Sequence, residues 1–134
     1  MPNTEAAFQK LVNIVKTLRG ENGCPWDKKQ SAASLSNYLR EEMDELLQAI
    51  ANNDIENLCE EAGDVMFLIV MLAQINAENK LFDLADVLHS INEKMVRRHP
   101  HVFAGTPVTD EDGLRRQWQS IKAEEKSKKK LTFL

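Results

Sequence analysis

Two acidic clusters interrupt the apolar stripes of two helical segments, and that interruption limits how this chain can fold. In the first segment Leu35, Leu39, Leu46 and Ile50 recur at helical spacing, and Glu42 fills the slot between Leu39 and Leu46. In the second the stripe is Leu58, Val65, Leu68 and Leu72, and the open slot belongs to Glu61. Each helix therefore turns a carboxylate toward the side it should bury. Glu45 and Asp64 lie at i+3 from these two, on nearly the same faces. Helices packed through those faces gather four carboxylates in one pocket. At an effective dielectric of about 20, each close like-charge pair costs roughly 4 kcal/mol. Desolvation adds several kcal/mol per ion. A fold of ordinary stability cannot carry that load unneutralised. Something cationic belongs there.

Ligand chemistry narrows the cation. An all-oxygen carboxylate site suits Mg²⁺, with Mn²⁺ as a substitute, and Mg²⁺ commonly shares its coordination with waters and substrate phosphates. Zinc wants His or Cys, and neither occurs inside the two clusters. A di-iron bundle wants two Glu-x-x-His pairs, and the nearest approach is Asp86-x-x-His89, single and on another helix. Solvated faces are the usual fate of charge runs. That describes Glu60, Asp44 and Glu56, and fits Glu42 and Glu61 poorly.

The bulk properties exclude several classes. At 134 residues the chain reads as one domain, residues 1–126, with a basic C-terminal tail over 127–134. Seventeen basic and 21 acidic residues leave a net charge of −4, which argues against a nucleic acid polymer as partner. No basic, apolar leader opens the sequence. The longest apolar run, Val65 to Ala73, falls short of a membrane span. The expected location is cytoplasmic. Cys24 and Cys59 match no disulfide framework, zinc site or redox motif. Cys59, just before the second acidic cluster, reads as a buried or half-buried thiol.

Helical periodicity runs almost throughout and predicts an all-α bundle of about five helices. Thr4 can cap a first helix striped by Phe8, Leu11, Val15 and Leu18. Gly20 to Gln30 is a break. Ser31 or Ser34 opens a second helix to about Asn52, and Asp54 can cap a third from Ile55 to about Asn79. Asp83 caps a fourth, which Pro100 ends by pushing the preceding residue out of the α region. His101 to Thr109 reads as loop. Asp110 starts a fifth helix toward Glu125, and the tail beyond it is expected to fray. The third helix is apolar nearly all round between Val65 and Ala73, as a helix between several neighbours is. A second copy of the chain supplies those neighbours most simply. The expectation is a four-helix core completed by homodimerisation, or a tetramer, through Met66, Phe67, Ile69 and Val70; a central core helix of a monomer is the alternative.

A second constellation lies downstream. Lys94, Arg97 and Arg98 share one helical face. Three cations so placed repel one another unless an anion is present, and Arg offers bidentate geometry for phosphate. Alone they read as a solvated basic face. Beside a carboxylate-held Mg²⁺ they read as a polyphosphate grip.

These residues carry a resemblance. Glu41-Glu42-x-x-Glu45 followed by Glu61-x-x-Asp64 resembles the signature of MazG-type nucleoside triphosphate pyrophosphohydrolases. Gly23-Cys24-Pro25-Trp26-Asp27, Lys94 through Phe103, and Trp118-x-x-x-Lys122-x-x-Glu125-Lys126 resemble family blocks in the same order. The likeness implies an all-α fold, Mg²⁺ dependence and cleavage of a nucleoside triphosphate to monophosphate and pyrophosphate. It implies Glu42, Glu45, Glu61 and Asp64 as metal ligands, and Glu41 as an outer ligand or the base that orients water. Lys94, Arg97 and Arg98 would hold the phosphates, and Trp118 and Lys122 would reach the nucleotide. Trp26 reads equally as a ring closing over the base or as a loop anchor. Longer members of the family carry two such modules in tandem; this chain holds one. The alternatives to a broad house-cleaning hydrolase are a narrow dUTP- or dCTP-type pyrophosphatase and a non-catalytic nucleotide-sensing or oligomerisation module.

Overall fold

Short polar caps and apolar stripes divide the chain into seven helices among the described residues, 3–108 and 110–132, of this computed structural model. They are α1 (Thr4–Leu18), α2 (Pro25–Lys29), α3 (Ala32–Ala51), α4 (Ile55–Glu78), α5 (Leu84–Arg98), α6 (Pro100–Phe103) and α7 (Glu111–Thr132). No strand occurs among the described residues. The chain divides into two compact units, residues 1–87 and 88–134.

In the first unit, α4 packs along α3 and against α1. Val15, Leu35, Leu68, Val70, Met71 and Ile75 form the buried cluster, with Phe8, Leu11, Val12 and Leu39 packed on it. The α3–α4 turn is tight because both of its ends are chemically specified. Asn53 takes a left-handed φ of 52°, and the Asn53 and Asp54 amides donate back to Ile50 and Ala49 in a Schellman closure. The Asp54 carboxylate then caps α4 by accepting from the Asn57 amide. α4 closes the same way, with Lys80 at φ 58° and amides of Lys80 and Leu81 returned to Ala77 and Asn76.

Several boundaries differ from the sequence expectation. Asn3, not Thr4, caps α1: its backbone is extended and its side-chain oxygen accepts from the Ala6 amide. Pro25 and Pro100 each stand at the first turn of a short helix, α2 and α6, inside segments expected to be irregular. Proline is suited to that position, where its missing N–H costs nothing. α7 starts at Glu111 and continues through the expected tail to Thr132; the last two residues of that tail lie outside the described residues. Val70 is 3% exposed within the protomer's own core, whereas Met66 and Ile69 are 49% and 44% exposed. Cys59 is exposed rather than buried.

Candidate metal and nucleotide site

The α3–α4 turn sets the register of the carboxylates. Glu45 and Glu61 stand equally far on either side of Asn53, as do Glu42 and Asp64. An antiparallel hairpin therefore brings each pair level. Glu42, Glu45 and Glu61 each offer an oxygen to one group whose atoms all lie within 4.8 Å of one another. Glu61 is buried, Glu42 half-buried and Glu45 exposed, so the group opens from core to surface. Asp64 lies outside that group and is exposed, although its charge acts on Glu42. Glu41 is exposed on α3.

The electrostatics of this group are unfavourable as it stands. Burial pushes the Glu61 carboxyl up to about 7, and the adjoining Glu42 and Glu45 carboxyls add to the rise. Burial raises Glu42 as well; a shared proton with Glu61 opposes that, and the charges of Glu45 and Asp64 add to it. One oxygen of Glu42 and one of Glu61, both Oε2, are shut off from solvent and meet no hydrogen-bond donor. An unsatisfied buried acceptor typically costs about 1–3 kcal/mol, more when charged. Mg²⁺ binds oxygens at about 2.1 Å, so opposite ligands around it stand roughly 4 Å apart. A cluster spanning 4.8 Å reaches that by closing slightly. The donor set, all carboxylate oxygen with two buried orphans, fits a hard divalent cation.

α2 and α3 add two aromatic rings to the same unit. Trp26 on α2 and Tyr38 on α3 meet edge to face, with centroids 5.2 Å apart and planes at 76°. Tyr38, Glu42 and Glu45 follow at i, i+4 and i+7, one face of α3.

In the second unit, Glu125 on α7 receives both arginines of α5. Arg97 Nε donates to Glu125 Oε2 at 3.0 Å, and Arg98 Nη2 to Oε1 at 2.9 Å. The two guanidiniums hold the Glu125 carboxyl far down, at about 2, with Arg98 the stronger influence. Lys94 has no such partner among the described residues. The expected anion opposite this basic face is thus, in part, the protein's own. Periodicity could not show that pairing, since the partners are 27 and 28 residues apart. A cavity of about 350 Å³ lies beside it, lined by Met95, Arg98, His99, His101, Leu114, Arg115, Gln117 and Trp118. His99 Nδ1 donates to the Met95 carbonyl at 2.6 Å, and Gln117 Nε2 donates to His101 Nδ1 at 3.1 Å. Lys122 Nζ sits 4.7 Å from the centroid of the Trp118 ring.

Residues 30–103, more than half of the chain, match the MazG nucleotide pyrophosphohydrolase domain. The chain belongs to that family. The matched stretch holds both acidic motifs with Lys94, Arg97 and Arg98, and leaves Trp26, Trp118 and Lys122 outside it. The nucleoside triphosphate pyrophosphohydrolase/pyrophosphatase MazG of Thermotoga maritima is 46% identical over 123 residues, which are 92% of this chain and 47% of that protein. YabN of Bacillus subtilis is 45% identical over 127 residues, 95% of this chain and 26% of YabN. The chain therefore spans no more than about half the length of either relative. The crystal structure of a mazG-related protein from Thermotoga maritima superposes with a TM-score of 0.72 at 29% identity, covering 86% of this chain and 98% of that one. The MazG-like, all-α architecture extends well beyond the matched stretch. No helix among the described residues is long and apolar enough to cross a membrane.

Proposed function

We propose that this MazG-family chain hydrolyses nucleoside triphosphates to the monophosphate and pyrophosphate, with Mg²⁺ held by Glu42, Glu45 and Glu61 and with Asp64 closing on it from α4. The observation that carries this reading is the carboxylate group with its two buried, partnerless oxygens. The family match and the activity for which the Thermotoga maritima relative is named support it.

When bound, the ion would polarise the attacking water and neutralise charge on the pyrophosphate leaving group. The chain's own residues do the rest. Glu41, exposed and one position off the buried stripe, takes the proton of a water aimed at the α-phosphorus. Lys94, Arg97 and Arg98 hold phosphate oxygens. Glu125 engages the Nε and Nη2 edges of the two arginines, which fixes them and leaves the remaining N–H donors for substrate. Trp118 and Lys122, in the second unit, are the further residues taken to contact the nucleotide. The exposed Met66 and Ile69 on α4 supply the contact with a second copy, as homodimer or tetramer, and complete the bundle.

The test is pyrophosphate release across common and damaged triphosphates, with and without Mg²⁺. Mg²⁺-dependent release supports the hydrolase. A single productive deoxynucleotide such as dUTP or dCTP selects the narrow pyrophosphatase instead. Nucleotide binding with no pyrophosphate formed makes the chain a sensing module.

A further inference from the structure

We infer that Trp26 and Tyr38 form the nucleobase platform of the site, an inference that rests on the hydrolase reading above for the identity of its ligand. Both are large aromatic side chains left in water, 45% and 37% exposed. The loop that carries Trp26 is nevertheless held hard. Arg19 Nη1 donates to the Asp27 and Gln30 carbonyls at 2.6 and 3.1 Å, and Gln30 Nε2 donates to the Trp26 carbonyl at 2.9 Å. Gly23 lies so close to the Leu18 carbonyl that any Cβ there would collide with it. A loop braced this firmly around an exposed indole presents that indole rather than burying it.

The direction of presentation is fixed by α3. Tyr38 stands one turn before Glu42 on the same face, about 6 Å along the helix axis. A nucleotide's base is separated from its α-phosphate by one sugar, a span of the same order as a helical turn. Phosphates drawn to the carboxylate-held cation would place the base over this pair. The Tyr38 ring meets Trp26 at 76°, which fixes the indole's tilt and leaves a ring face for stacking. Trp118 is less suited to that task, because Lys122 already covers its ring at 4.7 Å. Tyr38 acts here as a positioning residue and Trp26 as the stacking one. Stacking is tolerant of base identity, since every base has a π-face. The platform thus suits a broad nucleoside triphosphate hydrolase.

The chain has two tryptophans, so each single variant leaves one indole as reporter. Trp118→Phe is titrated with ATP and with CTP in Mg²⁺, and its fluorescence is expected to quench more strongly than that of Trp26→Phe, whose reporter is Trp118. Calorimetry then compares ATP with inorganic tripolyphosphate, which has no base. Trp26→Leu is expected to weaken ATP about five- to a hundredfold, with tripolyphosphate unchanged. Trp26→Phe should restore most of the loss, and Tyr38→Leu should show a smaller loss with the same split. Equal weakening of both ligands, unchanged ATP affinity in Trp26→Leu, or quenching only in Trp26→Phe overturns the inference. Far-UV circular dichroism checks each variant's helicity. Wild-type quenching without pyrophosphate release defeats the hydrolase reading and leaves the platform standing; release with no effect of Trp26→Leu on ATP does the reverse.

Discussion

Glu42 on α3 and Glu61 on α4 each bury an Oε2 oxygen that meets no donor, and the two carboxyls belong to one group within 4.8 Å. Neighbouring acids of this kind normally turn outward or find an arginine. Here the Schellman turn at Asn53 and the packing of α4 on α3 hold them in place. The hydrophobic core supplies the energy that keeps the charges together, and a bound cation would relieve the repulsion.

Glu61→Gln keeps the shape of the side chain and removes its charge. The metal-free variant should melt at a higher temperature than the wild type, because one buried carboxylate is gone. The upward melting shift that Mg²⁺ gives the wild type should disappear. Pyrophosphate release should fall by more than about a hundredfold, since partners one shell further out already cost 10–100-fold. Thermal melts with and without Mg²⁺ and a pyrophosphate assay check all three. A variant that still gains stability from Mg²⁺ removes Glu61 from the ligand set.

The raised Glu61 carboxyl gives the metal-free protein a definite pH dependence. Its folded value of about 7 lies above its ordinary value of 4.5. The folded state therefore binds more protons than the unfolded chain between those values, and stability falls as pH rises through that window. The contribution is complete below about 4.5 and lost above about 7. Mg²⁺ must displace the proton, so its apparent affinity should weaken below pH 7 and its binding should release protons. Calorimetry in buffers of different ionisation enthalpy counts those protons. An affinity flat from pH 6 to 8 would contradict the assigned environment.

Much of this site is legible in the sequence. Glu42 and Glu61 break regular apolar stripes, and a helical period converts such a break into a direction in space. Asp54, which caps α4 just after the turn, also has a local signature. What stayed hidden depended on contacts between distant segments. Glu125 opposite Arg97 and Arg98 needs α5 and α7 to meet, and the Trp26–Tyr38 contact needs the loop to fold back on α3. Periodicity offers Val70 to a partner because α4 is apolar nearly all round; the protomer's own core takes it instead. Short helices begun by Pro25 and Pro100 were hidden because proline signals both a break and a first turn.

Glu125→Gln should loosen the second unit, leaving Arg97 and Arg98 adjacent with weaker acceptors. The Glu125 carboxyl titrates near 2 in the folded chain, below its usual 4.5. Its contribution is present above about 4.5 and is lost as pH falls toward 2. The difference in urea midpoint between wild type and variant should thus be largest near pH 7 and shrink steadily from pH 4.5 downward. A constant difference over that range would mean the pair acts by packing alone.

Arg19 ties three segments with one guanidinium. Nε and Nη2 hold Glu78 at the end of α4, each at 2.8 Å, while Nη1 holds the Asp27 and Gln30 carbonyls. The Arg19 side chain is 8% exposed and Glu78's is 38% exposed, so the ion pair meets water while the carbonyl bonds are better shielded. Arg19→Ala should destabilise the chain by about 1–3 kcal/mol, mostly through the two carbonyls it leaves without a donor, since the ion pair is screened by water. Arg19→Lys keeps the charge but not the planar fork, and should recover less than half. Urea unfolding measures both. Full recovery by lysine would reduce the clamp to a simple ion pair.

Gly63 poses a sharper question, because a Cβ at that position meets nothing within 4 Å. Glycine in a helix interior costs about 1 kcal/mol relative to alanine. Taken alone, the protomer should therefore gain about that much from Gly63→Ala. Gly63 also lies one turn before the exposed Met66 on α4. If a second copy packs there, its backbone approaches where the methyl would go, and the substitution should weaken association while stabilising the monomer. Sedimentation of Gly63→Ala and of Met66→Glu/Ile69→Glu, together with urea unfolding across protein concentration, separates the two effects. Wild-type chain that sediments as a monomer at all concentrations removes the proposed α4 contact, and the gain of about 1 kcal/mol should then be all that Gly63→Ala shows.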